Sequence, residues 1–127
     1  MVNQPLGEGS YRHATCASCN ETTIKNFLSP TTRWISRVRI CDDQIVDFSI
    51  LLQVLHGGVW RFVTRFSVAH ASFHQYHWFR RLPPDAGQRR GGSLINNQQH
   101  LTQAFQQALE LSYPETEHYL TRWETGP

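Results

Sequence analysis

Apolar and polar residues alternate with period two through the middle of the chain. Val46, Phe48, Ile50, Leu52 and Val54 are apolar, with Asp47, Ser49 and Gln53 between them. Successive strand residues point to opposite faces, so this alternation predicts a half-buried strand. Trp34 to Cys41 predicts another, with Trp34, Ser36, Val38 and Ile40 on one side and Ile35, Arg37 and Arg39 on the other. A third has Trp60, Phe62, Thr64 and Phe66 facing one way and Arg61, Val63 and Arg65 the other. Phe73 to Arg80 is expected to return as a fourth. Asp42-Asp43 and Gly57-Gly58 mark the turns between strands.

Further along, Leu82 to Ser93 carries Pro83-Pro84-Asp85-Ala86-Gly87 and Gly91-Gly92, which predicts a loop. Asn96 or Asn97 can cap a following helix. Leu101, Ala104, Phe105, Ala108 and Leu109 then form a narrow apolar stripe at helical spacing, suited to lying on a sheet. Pro114 ends that helix and is placed to open a second short one through Trp123. Residues 1–30 show no such pattern, apart from one possible helical turn at Ile24–Leu28. The expected fold class is α+β: a four-stranded antiparallel meander sheet, roughly Trp34 to Arg80, covered on one face by a C-terminal helix. An irregular N-terminal segment (1–30) precedes a single domain (31–127).

Composition narrows the class. A chain of 127 residues with 39% hydrophobic side chains can bury a core without disulfides. No run approaches the roughly 20 apolar residues of a membrane span. Met1 to Ser10 is polar and lacks the apolar stretch of a secretory signal, so a cytoplasmic protein is expected. Three cysteines, an odd number, argue in that setting against a disulfide framework. The net charge is only +2 but uneven. Val59 to Arg90 holds six arginines against Asp85, and Asn97 to Pro127 holds Arg122 against four glutamates. Arginine forms a planar fork that fits phosphate and stacks on bases. A basic centre with an acidic tail suits a phosphate-bearing partner or a protein of mixed charge.

Candidate chemistry concentrates in His70, His74 and His77, preceded by Arg65 and followed by Arg80-Arg81. Imidazole titrates near neutral pH and serves as acid or base. Metal-free RNA cleavage needs both roles, plus cations for the phosphorane. His70 and His74 are the candidate acid and base, with Arg65 and Tyr76 assisting. Arg61, Arg37, Arg39, Trp78, Arg80 and Arg81 are candidates for holding or stacking RNA. His70-x3-His74 would suit zinc on a helix, but the aromatic and β-branched neighbours favour a strand. In a strand His74 and Tyr76 share one face, and His77 joins Phe73 and Phe79 as a buried, hydrogen-bonded core histidine. A weaker zinc candidate is His13, Cys16, Cys19 and Cys41, which lacks a second knuckle.

The stretch Val59 to His70, with Arg65-Phe66 leading to His70 and then His74 and His77, resembles the TumE-like toxins of bacterial toxin–antitoxin pairs and related small proteins. The likeness covers roughly residues 45 to 112. It implies a small antiparallel sheet with a C-terminal helix, ribonuclease activity and neutralisation by a cognate antitoxin. Ser67 stands where that family carries an aspartate, so a carboxylate that would orient a histidine or arginine is missing. The leading expectation is therefore an endoribonuclease-like toxin acting on RNA without a cofactor. The alternatives are a non-catalytic protein- or nucleic-acid-binding module within a larger assembly, and a small zinc protein.

Overall fold

The computed structural model describes residues 9–11, 19–69 and 71–127. The chain forms a six-stranded antiparallel meander: β1 (Asn20–Ser29), β2 (Thr32–Cys41), β3 (Gln44–His56), β4 (Val59–Ala69), β5 (Ser72–His77) and β6 (Gln88–Arg90), in that spatial order. Two helices follow, α1 (Gln98–Ser112) and α2 (Thr116–Thr125), joined by a 3-10 turn at Tyr113–Glu115. The expected turns form tight hairpins. Asp42 and Asp43 have φ of 51° and 64°, and Gly57 and Gly58 have 62° and 79°. Two successive positive-φ residues match the right-handed twist of the flanking strands.

The sheet has two strands more than expected, and both additions lie at its edges. β1 occupies part of the segment read as irregular, including the proposed helical turn at Ile24–Leu28. Nine of its ten residues are exposed. An edge strand with solvent on both sides has no buried face to impose alternation. β6 is three exposed residues inside the segment read as a loop. β5 ends at His77, three residues short of the expected end at Arg80.

Both helices lie on one face. Asn97 caps α1, its side-chain oxygen accepting from the His100 amide at 2.9 Å. α1 packs on β3 and buries Leu101, Ala104 and Ala108; α2 reaches β4 through Tyr119 and Trp123. Trp34, Phe48, Ile50, Leu52 and Phe66 are fully buried beneath them. Each such side chain contributes about 1.5–3 kcal/mol from apolar burial. Leu109, placed in the stripe by its spacing, is instead 37% exposed.

The expected facing of the third strand is overturned by a β-bulge. Leu52 pairs with Thr64 but Gln53 pairs with Phe62, which leaves Val63 as an extra residue in β4. One extra residue shifts the phase of alternation, so the two halves of the strand swap faces. Phe66, Thr64 and Val63 point into the core, each at most 1% exposed. Trp60 and Phe62 turn to the opposite, helix-free face. Arg61 turns the other way.

The cysteine expectation is also corrected. Cys19 and Cys41 form a disulfide across the ends of β1 and β2. The pairing follows from register: Asn20 lies opposite Ile40, so the neighbouring residues 19 and 41 face each other. Such a bond suits an oxidising environment. Near Ala71, between β4 and β5, residues 9–11 run beside Ile95. The Gly9 amide donates to the Ala71 carbonyl and the Tyr11 amide to that of Ile95. No helix among the described residues is long and apolar enough to cross a membrane.

Candidate functional site

The sheet face turned away from the helices gathers most of the basic strand residues. Directly paired residues share a face, so register alone defines its rows. One row runs across all six strands: Lys25, Ile35, Leu51, Arg65, Tyr76 and Arg89. A second holds Thr23, Arg37, Ser49, Ser67 and His74, and a third Phe27, Arg33, Gln53 and Phe62. Arg39 lies between Glu21 and Asp47. Glu21 and Asp47 are the acids among these strand residues, against six basic side chains: Lys25, Arg33, Arg37, Arg39, Arg65 and Arg89.

Two arginine–aromatic stacks stand on this face. The Arg33 guanidinium lies 3.8 Å from the Trp60 ring centroid and 5.6 Å from that of Phe27. Gln53 Oε1 accepts from Arg33 Nε at 2.8 Å and fixes its position. The Arg65 guanidinium lies 5.0 Å from Tyr76 and 5.7 Å from Trp78, and those two rings stack on each other. Between the stacks Phe62 meets Trp78 edge-on. A cavity of about 160 Å³ opens beside them, walled by Trp60, Phe62, Trp78, Leu82 and Pro84. That volume is small for a ligand pocket, and its flat apolar walls fit one planar ring.

The expected site residues divide between the two faces. Arg65, Tyr76, His74, Arg37 and Arg39 come together on the open face. Arg37 is already committed, 3.1 Å from both Glu21 and Asp47. Burial works against its charge, but Asp47 and then Glu21 hold its pKa above the usual value. Arg39 makes no ion pair among the described residues. Arg61 is removed by the bulge and donates to the carbonyls of Arg80 and Leu82. Arg80 pairs with Glu124 at 3.1 Å, Arg81 is exposed, and Trp78 is buried with its indole N–H on the Pro84 carbonyl. His70, His13 and Cys16 lie outside the described residues.

His74 is 4% exposed, with its ring 6.1 Å from that of Tyr76. Ser67 lies directly opposite it. An aspartate at position 67 would thus stand beside His74 on the same face. Ser67 offers a hydroxyl there, not a carboxylate.

His77 points the other way, into the helix-covered side, as strand alternation implies. Thr64 Oγ1 lies 3.3 Å from its Nδ1, and Arg122 donates to the same nitrogen. Burial, then the charges of Arg122, Arg90 and His118, lower its pKa to about 4. It is a neutral acceptor at pH 7.

The zinc candidate loses two donors, because Cys19 and Cys41 are joined to each other. Among the described residues no group of three or more histidine, cysteine, aspartate or glutamate side chains is placed to hold a metal.

Arg33, Lys25 and Arg89 belong to the open face and were not singled out from sequence. For Arg33 a signal existed: β2 begins at Thr32, so the Arg33, Ile35, Arg37, Arg39 alternation starts two residues earlier than read. The register that brings Trp60 to Arg33 depends on the bulge and has no local signature. Comparison with protein-family models, with curated proteins and with solved structures finds no match to this chain.

Proposed function

We propose that the open sheet face binds single-stranded RNA. The observation that carries this reading is the pair of arginine–aromatic stacks on one basic, helix-free surface. An aromatic ring or a guanidinium plane stacks on any exposed base, and arginine also reaches phosphate. In this reading Trp60, Phe62 and Tyr76 supply the stacking surface, with Arg33 and Arg65 sandwiched against it. Lys25, Arg39 and Arg89 follow the phosphates. Duplex RNA hides its base faces and would not use the stacks.

A second reading, cleavage of the bound strand, is favoured by His74 beside Tyr76 in the neighbouring row. His74 would share acid–base work with His70, and Arg65 would stabilise charge on phosphorus. This is the activity that the toxin resemblance implies. A cognate antitoxin would then neutralise the protein by covering the same basic face.

The experiment is anisotropy with labelled single-stranded and duplex RNA, in chelator, with the RNA run on a gel afterwards. Single strands should bind in preference to duplex, and Trp60→Ala should weaken binding about tenfold or more. Equal affinity for duplex, or no effect of Trp60→Ala, would reject the binding reading. Chelator-resistant cleavage lost in His74→Ala would support the second. In that case Ser67→Asp should raise the rate.

A further inference from the structure

On the other side of the sheet, an open cleft of about 480 Å³ lies between the β5–β6 edge and α2. Its floor is Gln75 and His77, and Arg90 stands on one wall. Arg122, His118 and Tyr119 stand on the other, with Leu111 as an apolar margin. β5–β6 register places Arg90 opposite Gln75, on the helix side. Helical spacing of four puts His118 and Arg122 on one side of α2.

The charges in this cleft are not balanced from within. Arg122 is half-buried. It donates to the neutral His77 nitrogen and lies 5.1 Å over the Tyr119 ring, and neither partner is a carboxylate. Glu115 lines the cleft too, yet among the described residues it makes no ion pair with Arg90, Arg122 or His118. The half-buried Arg122 guanidinium therefore carries a burial cost with no carboxylate beside it, and the charge of the exposed Arg90 adds to that cost. Burial pushes the Arg122 pKa down; Tyr119 opposes that and Arg90 adds to it. A bound dianion would relieve both costs together.

We infer that this cleft is a binding site for a phosphate monoester of nucleotide size, held by Arg90 and Arg122. The planar forks suit tetrahedral oxyanions, His118 adds a donor, and the space beyond them accommodates a sugar or base against Leu111. Neutral His77 holds the Arg122 guanidinium in place. The ligand's source is either a free mononucleotide or the terminal phosphate of an RNA strand. The site does not depend on RNA binding at the open face.

Calorimetric titration of the whole protein with AMP, adenosine and inorganic phosphate tests it. AMP should bind, and adenosine should bind at least about tenfold more weakly. Arg90→Gln, at an exposed position, should weaken AMP about tenfold while leaving single-stranded RNA binding at the open face unchanged. No AMP binding up to ~10 mM would overturn the site. So would equal binding of adenosine, or an Arg90→Gln variant that binds AMP as the parent does. In a Trp60→Ala background, competition by 5′-phosphorylated but not 5′-hydroxyl RNA would identify a strand terminus as the source. Absence of competition would identify the free nucleotide; both outcomes require the site.

Discussion

The two faces of the sheet are built from the same strands and use the same residue types differently. On the helix side, aromatic rings are sealed: Phe48 and Phe66 are fully buried and pack against Phe73, Phe105 and Tyr119. On the open side, Trp60, Phe62 and Tyr76 keep solvent contact, and Trp60 and Tyr76 hold arginines over their rings. Histidine divides by face as well, His74 to the helix-free one and His77 to the covered one, although both are buried. Aromatic content alone does not distinguish a core from a binding surface. What separates them is whether helices cover the rings, since on the covered side Tyr119 also lies under a guanidinium, that of Arg122.

The two faces should differ most in what truncating one aromatic ring costs. Phe48→Ala should cost about 3–5 kcal/mol in chemical denaturation, from lost burial and an unfilled cavity. Trp60→Ala on the open face should cost far less stability while weakening RNA binding. A Trp60→Ala protein as destabilised as Phe48→Ala would make the open face a second core.

Reduction of Cys19–Cys41 should lower stability by about 3 kcal/mol, since the bond closes a loop spanning 22 residues of sequence. Loosening should be concentrated in β1, which carries Lys25 and Phe27 of the open face. Hydrogen exchange before and after reduction reads this directly. Protection lost throughout β3 and β4 instead would show that the edge strand is not a separate layer.

His77 sharpens the difference through pH. Its pKa is about 4 in the folded protein and near 6.5 when unfolded. Between those values the unfolded state binds more protons, so stability falls as pH drops through that window and is level above it. The loss should be on the order of 2 kcal/mol, allowing for solvent screening at the edge of the cleft. Denaturation midpoints measured from pH 7 to pH 4 test it, and His77→Gln should remove most of the slope.

The smallest expected effect separates two arginines on one strand. Arg39→Gln should reduce the salt dependence of RNA binding by about 0.7 in the log–log slope, one phosphate contact. Arg37→Gln should change it less, because Glu21 and Asp47 already neutralise that side chain. The reverse order would mean that RNA displaces those carboxylates.

Much of the fold was legible because one face is buried. The alternation from Val46 to Val54, the Asp42-Asp43 and Gly57-Gly58 turns, the Asn97 cap and the stripe of α1 each have a local physical cause. β1 was not legible, since an exposed edge carries no such pattern. The candidate site was legible in part. Alternation put Arg37, Arg39 and Arg65 on one face and separated His77 from His74. It also misassigned Trp60, Phe62 and Arg61. A bulge at Val63 changes the phase of a strand by one residue, and only pairing with β3 reveals it. The cleft of Arg90 and Arg122 joins residues 32 positions apart from two different elements, which no local spacing announces.

The central claim is that RNA lies on the open face. Ultraviolet cross-linking of the whole protein to a single-stranded oligoribonucleotide, followed by peptide mapping, tests it most directly. Adducts on Trp60, Phe62 or Tyr76 are expected. Adducts confined to the helix side, at Tyr113 or Tyr119, or none at saturating RNA, would contradict it.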